Sequence, residues 1–566
     1  MRIEDRIAAL RSAGEEAAWR IRTVGRVAAK TGLIRSIRLP GAKALVSELV
    51  RAKGKVDPSL LFHYLAANDP NRAALVALSA PPGGGVVEER AYSFHEMNDR
   101  IDRLASALHA SGVKPGSRVL VMLKNRPEFV LLQLAAGRIG CGAVSCSYRS
   151  APRELEYMVN HSGAKAVFFD VDAAATVREA MGGLRGVGRE RCVSVGGEAE
   201  GFPSIDAFMA GARGAPPRTR EEAAVVMYTS GTTGKPKGAV RRYASGATVA
   251  ALAFLGETPL EMGEVHLAVC PLYHATAFGF VSFSYLLGST VLVLREFRPE
   301  AFLAAIERYR VTTTAVVPTM LHRLVELGPE VVRRYDTSSL KAIFTGGAPL
   351  SAPLATEFMN LFGDKLFNFY GATETGVVTC ASPADLRAAP GTIGRAVPGN
   401  DVRLFDERGR VCQAGEVGEL YVKSPMLIDG YHADEEGTRA SMRDGYFSVG
   451  DLARQDARGY FFIEGRKRDM IISGGVNVYP AEVEGALHEH PAVAEAAVVG
   501  VPDPEWGERV RAFIALKPGA EADEDALKAH CRMHLAGPKV PRDFVFLAAL
   551  PRNPTGKVLK RELRAM

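Results

Sequence analysis

A chain of 566 residues, 47% of them hydrophobic, exceeds what one core can organise and is expected to fold as two or more domains. Its seven cysteines, scattered from Cys141 to Cys531 with no Cys-x-x-Cys pair, exclude a disulfide scaffold or thiolate metal site and read as free thiols of a reducing, cytoplasmic setting. The net charge of +6 does not point to nucleic acid: thirteen Lys/Arg against five Asp/Glu in residues 1–56 supply +8 there and leave −2 for the other 510 residues.

No apolar signal core with a small-residue cleavage site opens the chain, so no secretory address is expected. Residues 1–56 instead place Ile3, Ile7 and Leu10, then Ile21, Val24 and Ala28, at helical spacing among arginines, which predicts a weakly amphipathic cationic region ending near Pro40-Gly41. Two roles fit it: a helical extension packed on the main domain, or peripheral contact with an anionic membrane from which a lipid substrate is drawn. From about Leu60 the pattern is α/β. Strands are predicted at Val119–Leu123, Ala143–Cys146 and Ala164–Phe169, a helix opening at Asn125-Arg126-Pro127-Glu128 with a cap and an early proline, and a helix over Pro152–His161. Such alternation implies a largely parallel sheet covered on both faces.

The apolar run Ala223–Met227 leads into Tyr228-Thr229-Ser230-Gly231-Thr232-Thr233-Gly234-Lys235-Pro236-Lys237-Gly238, and a helical segment follows over Ala244–Leu255. Hydroxyls, unhindered glycines and two lysines at a strand end suit the terminal phosphates of a nucleotide, although the spacing is not that of the Walker loop. Residues 265–294 lack any Asp, Glu, Lys or Arg. Thirty such residues could span a membrane, but Pro271, two histidines and glycines 279 and 288 favour a strand, a turn, a buried helix and a last strand at Thr290–Leu294, fit to line an apolar substrate. Within it lies Pro271-Leu272-Tyr273-His274-Ala275-Thr276-Ala277-Phe278-Gly279.

Short strands at Ala315–Pro318 and Ala342–Phe344 come next, the second running into Thr345-Gly346-Gly347-Ala348-Pro349, a turn open to a flat ligand. In Asn368-Phe369-Tyr370-Gly371-Ala372-Thr373-Glu374-Thr375 an aromatic can stack on adenine, Thr373 can donate to a phosphate and Glu374 offers hard oxygens to magnesium. Asp451, in Gly450-Asp451-Leu452, can accept two hydrogen bonds from ribose hydroxyls. After Gly465-Arg466-Lys467-Arg468 and Ser473-Gly474-Gly475 a smaller α/β pattern follows, with helices over Ala481–His488 and Glu524–Leu535 and strands at Val493–Val499 and Val510–Leu516, and the chain closes through Pro551-Arg552-Asn553-Pro554-Thr555-Gly556-Lys557.

In order and wording these segments resemble the signatures of the adenylate-forming superfamily, on its acyl-CoA synthetase and fatty-acid–CoA ligase branch. The resemblance implies a mixed α/β fold in which the basic helical extension (1–56) is followed by a large multi-sheet adenylation domain (57–467) and a small mobile domain (468–566) that carries the catalytic lysine. It implies catalytic roles for Lys557, Glu374, Thr229 and His274, with Glu374 holding Mg2+. ATP or AMP contacts would fall to Thr229, Ser230, Gly231, Thr232, Thr233, Lys237, Gly347, Ala348, Asn368, Tyr370, Gly371, Thr373, Asp451, Arg466 and the hinge residue Arg468. Coenzyme A would meet Ser473, Gly474 and Gly475, and the acid Tyr273, His274, Ala275, Gly279, Gly346 and Gly371.

Two departures stand out. Peptide-synthetase relatives usually carry Asp where this chain has Tyr273-His274, which argues against an amino acid because a buried ammonium needs a carboxylate. Many relatives place Asp or Lys where Arg468 stands. The expected reaction is ATP-dependent activation of a carboxylic acid to an acyl adenylate and then an acyl-CoA. A medium- or long-chain fatty acid is the first choice, an aryl or arylpropenoic acid the runner-up, and loading of a separate carrier protein a further alternative. A non-catalytic relative is disfavoured because both Lys557 and Glu374 are present. The sequence leaves the oligomeric state open, a homodimer being one candidate.

Overall fold

A computed structural model describes residues 19–32, 38–51, 59–81, 84–212, 216, 219, 221, 224–229, 237–242, 245–474, 476–552 and 558–566. Four sheets organise them. The largest has nine strands; its interior runs parallel through Leu366–Ala372, Ala342–Thr345, Thr313–Val316, Val265–Ala268, Thr290–Leu294 and Ala73–Ser79, with antiparallel strands only at its edges. A seven-stranded sheet pairs Ala224–Thr229, Gly142–Ser145, Arg118–Met122, Ala164–Asp170 and Cys192–Val195 in parallel, and Lys237–Arg242 returns antiparallel on its outer side. A six-stranded antiparallel sheet spans residues 401–466, and five strands from Ile471 to Phe546 build the last.

Strand periodicity decides how the layers stack. Leu75, Val291 and Val293 enter one core with Val119, Val121 and Phe168 of the second sheet, sandwiching the helices Phe94–Ala110 and Pro127–Arg138 between the two sheets. Val76, Leu292 and Leu294, one residue out of step, face the opposite side of the nine-stranded sheet and pack on helices Pro299–Tyr309 and Ala352–Phe362. The uncharged run at 265–294 folds as its composition suggests, into strand Val265–Ala268, helix Ala275–Leu286 and strand Thr290–Leu294.

Three local expectations need correction. Asn125 does not cap the helix beginning at Pro127, where Arg126 holds the N-cap position without a side-chain bond. Instead the buried Asn125 amide donates to the carbonyls of Cys270 (3.0 Å) and Leu294 (3.2 Å) and accepts the N–H of Leu272 (2.8 Å), fastening the seven-stranded sheet to the nine-stranded one. The strand expected at Ala315–Pro318 ends at Val316, because Pro318 has no N–H for a ladder and opens the next helix. At the amino terminus, residues 19–31 are helical but bury Thr23, Val27, Ala28 and Thr31, leaving Ile21 and Val24 exposed. Pro40-Gly41 opens a further helix, Leu39–Arg51, rather than ending one, since proline is tolerated in a first turn. Ile3, Ile7 and Leu10 lie outside the described residues. Among the described residues no helix is long and apolar enough to cross a membrane.

Candidate functional site

The parallel strands Ala342–Thr345 and Leu366–Ala372 both end at one cleft, of about 1350 Å³, where ligands of open α/β sheets bind. Gly371 lines it from the end of the second strand, and Gly347, Thr373 and Glu374 line it just beyond the strand ends. Gly371 is required by packing: a methyl there would stand 1.9 Å from the carbonyl oxygen of Gly376 across the hairpin. Gly346 lies just behind, against the Phe369 ring and backbone. Across the cleft, the antiparallel pair Ala224–Thr229 and Lys237–Arg242 puts Thr229 opposite Lys237, closing the ends of the hydroxyl-rich loop. Ser230, Gly231, Thr232 and Thr233 themselves, like Lys557 and Gly475, lie outside the described residues.

Glu374 is buried at 7% exposure, and its Oε1 accepts the hydroxyl of Tyr431 at 3.1 Å. The ring of the same tyrosine lies 4.8 Å from Lys237 Nζ, which also pairs with Asp434 at 2.9 Å. Burial and the neighbouring Glu374 hold the Tyr431 phenol far above its usual pKa, so it stays a donor. Arg241 shares the cleft-facing side of its strand with Lys237, four residues earlier, and donates to the Thr373 carbonyl at 2.7 Å. No group of three or more His, Cys, Asp or Glu able to hold a metal occurs among the described residues. One fixed carboxylate beside a nucleotide's phosphates is the usual setting for Mg2+, which keeps several waters and takes few protein ligands, so Glu374 fits such an ion.

At the far side, strands Asp451–Gln455 and Phe461–Arg466 pair Asp451 with Arg466. The Asp451 carboxylate accepts the Tyr370 hydroxyl at 2.7 Å and faces Arg466 Nε at 3.2 Å, so its two oxygens already point in fixed directions. Asp451, Arg466 and Arg468 all line the cleft. The Asn368 amide turns inward instead, donating to the Thr392 carbonyl at 2.9 Å. Ala348, Asn368 and Tyr370 are not among the lining residues.

The acid end of the cleft is lined by His274, Ala275, Gly279, Phe280, Phe283 and Phe369. Tyr273 is buried behind, its ring 4.1 Å from that of His274. His274 Nε2 is shielded from solvent without a hydrogen-bond partner among the described residues, and burial pushes its pKa down to about 4. His266, stacked under Phe280 and bonded through Nδ1 to Thr313 Oγ1 at 3.0 Å, is pushed down to about 3 in the same way. Both imidazoles are therefore neutral in the folded protein near pH 7. The unfolded chain binds protons on them below about 6.5 while the folded chain does not, so stability is expected to fall as pH drops from 6.5 toward 4. Melting temperatures across that range check this, and His266→Asn should flatten the slope.

The small domain turns one particular face to the cleft. Ala548, Leu550 and Arg552 line it, and Arg552 bridges to Val558, the residue that follows Lys557. Ser473 and Gly474 are not lining residues: Ser473 is buried, and Gly474 donates its N–H to the Trp506 carbonyl at 2.9 Å. The sequence reading missed Arg241, Tyr431 and Asn125. Strand alternation from Lys237 could have signalled the first, but nothing local distinguishes the others.

Comparison with known proteins decides the family. Residues 62–432 match the model of the AMP-binding enzymes, and residues 482–557 that of the AMP-binding enzyme C-terminal domain. The chain belongs to the AMP-binding enzymes. Among its relatives in that family is a feruloyl-CoA synthase of Amycolatopsis, 37% identical over 84% of this chain and 94% of the relative. A long-chain-fatty-acid–CoA ligase of Mycobacterium tuberculosis is 32% identical over 83% of this chain and 92% of its own length. Among solved structures, ATP-bound MatB from Rhodopseudomonas palustris superposes with a TM-score of 0.79 at 30% identity, covering 90% of this chain and 99% of that one. The multi-sheet large domain and smaller carboxyl-terminal domain of this AMP-binding enzyme are thus the family's fold.

Proposed function

We propose that the acid this enzyme activates is an aryl or arylpropenoic acid rather than the fatty acid its sequence first suggested. That it is an AMP-forming acid–thiol ligase, working with ATP, Mg2+ and coenzyme A, follows from its family and from near full-length similarity to CoA ligases. The aromatic wall carries the choice of acid. Phe280, Phe283 and Phe369 face the cleft, and behind them Phe254 and Phe344 are fully buried, with ring centroids 4.8–6.0 Å from Phe280. Flat rings stack well on such a surface, while a long flexible chain would need an open tunnel where these rings stand. The 37% identity to a feruloyl-CoA synthase supports the same reading.

A carboxylate resists attack by a thiol because oxide is a poor leaving group. Joined to the α-phosphate of ATP with loss of pyrophosphate, it gains AMP as a leaving group, and the thiol of coenzyme A then displaces AMP. The first step brings anion onto anion, so it needs oriented donors and cations. In this reading Lys237 and the hydroxyls of residues 229–233 hold the departing phosphates. Asp451 and Arg466 fix the ribose, and Lys557 lies between carboxylate and α-phosphate. Mg2+ beside Glu374 would draw off charge from the phosphate oxygens. Neutral His274 and the phenylalanines exclude water from the adenylate, and the uncharged wall rejects a second carboxylate.

Pyrophosphate release measured with and without coenzyme A, over ferulate, cinnamate, benzoate, hexanoate and dodecanoate, tests the proposal. An arylpropenoic acid is expected to exceed the linear acids by about tenfold or more in kcat/KM, the scale a shaped apolar pocket provides. A preference for dodecanoate would restore the fatty-acid reading. Adenylate that accumulates without thioester would favour a carrier protein as acceptor.

A further inference from the structure

The helix over residues 19–31 lies outside the family match, which begins at residue 62, yet it is packed against the back of the acid pocket. Val27, 1% exposed, belongs to the same buried cluster as Phe254, Leu255, Phe280, Phe283 and Phe369. Its contact is with the end of the helix Ser245–Gly256: a methyl on Gly256 would stand 3.2 Å from Val27 Cγ2. One turn on, Lys30 Nζ donates to the Gly256 carbonyl, and the Thr31 carbonyl accepts the N–H of Met262 at 2.9 Å. At the other end of the helix, the Trp19 ring lies against Gly399, where a methyl would come within 2.7 Å of it. The next residue, Asn400, donates to the carbonyls of Val377 and Val378 at 2.9 Å each, and Val377 lines the cleft.

These contacts form shells. Phe280 and Phe283 line the cleft, Phe254 stands 6.0 and 5.5 Å from them by ring centroid, and Val27 belongs to the same cluster on the side of the amino-terminal helix. We infer that the amino-terminal helix is the outer wall of the acid pocket and that Val27, a positioning residue acting through Phe254, sets how far an acid can extend. The inference rests on the aryl-acid reading for its choice of probe. A close-packed interior passes a change of one or two methyl groups on to its neighbours. Shortening Val27 lets Phe254 relax outward and deepens the pocket, whereas lengthening it drives the phenyl rings toward the substrate.

The test uses the full chain with Val27→Ala, Val27→Leu and Val27→Thr, reading kcat/KM for 4-butoxycinnamate against cinnamate. Val27→Ala is expected to raise that ratio about fivefold, chiefly through KM for the longer acid, and Val27→Leu to lower it, with KM for ATP unchanged. Val27→Thr keeps the shape but buries a hydroxyl, so it should lower the melting temperature and leave the ratio alone. Trp19→Ala, at the far end of the helix, should shift the ratio in the direction of Val27→Ala. If linear acids prove the better substrates, the same ratio is read with dodecanoate over hexanoate, so the choice of acid class and the role of Val27 fail separately. A ratio that stays constant in all the variants while their melting temperatures fall would reduce the helix to packing and overturn the inference.

Discussion

Lys557→Ala is expected to slow adenylate formation by about 10² or more, the effect of losing one charge-stabilising donor at a phosphoryl centre, while leaving thioester formation from pre-made acyl adenylate nearly unchanged. Exchange of labelled pyrophosphate into ATP reads the first step, and coenzyme A consumption from synthetic adenylate reads the second. The asymmetry follows from which face of the small domain borders the cleft. Arg552 lines it and bridges to Val558, the immediate neighbour of Lys557, whereas Ser473 is buried beside Gly507 and Gly474 bonds to the Trp506 carbonyl. We propose that this arrangement belongs to the first half-reaction. Coenzyme A would need the other face, which we propose is brought round by rotation at residues 467–469. Equal loss in the two half-reactions would contradict the assignment of Lys557.

Ion pairs flank Arg468 on both sides. Lys467 pairs with Glu419 of the six-stranded sheet at 3.0 Å, and Asp469 pairs with Arg564 of the last helix at 2.8 Å, so the residues on either side of Arg468 are anchored to different bodies. Lys467 is 62% exposed, although its partner Glu419 is only 17% exposed, whereas Asp469 is 14% exposed beside Arg564 at 35%. Arg468 itself lines the cleft, its pKa lowered by partial burial and then by Arg466.

Much of the fold could be read from local pattern, and the exceptions share a cause. Thr290–Leu294 is a strand with the predicted bounds because Val291–Leu294 is a short continuous aliphatic run, buried at every position, as a strand covered on both faces requires. Glu374, Asp451 and Arg466, each at or beside a strand end whose direction is set by its sheet, all line one cleft. The helix at 19–31 misled because three turns with mixed residues carry a weak stripe, and the partner surface chose the face. It chose Thr23, Val27 and Thr31, burial that a threonine tolerates when its hydroxyl donates to a carbonyl one turn back, as Thr31 does to Val27 at 2.8 Å. Asn125 and Tyr431 were invisible for another reason. Asn125 acts on residues 145 and 169 positions away, and Tyr431 on a carboxylate 57 positions away, so no local spacing could report either.

Tyr431 makes the second large expectation a graded one. Glu374→Gln removes the charge facing the nucleotide and is expected to lower adenylate formation by about 10² and to raise the Mg2+ concentration needed for half-maximal rate. Tyr431→Phe keeps the ring beside Lys237 but loses the hydroxyl that holds Glu374 Oε1, an outer contact of the kind that costs about tenfold. Tyr431→Leu loses the ring as well and should also weaken ATP binding, because Lys237 would lose its contact with the ring and keep its pair with Asp434. The combination of variants is the sharper measurement. If the hydroxyl works by orienting the carboxylate, Tyr431→Phe should cost little more once Glu374 is already Gln, and the double variant should match Glu374→Gln within about twofold. Full additivity would mean that Tyr431 serves the nucleotide independently of Glu374.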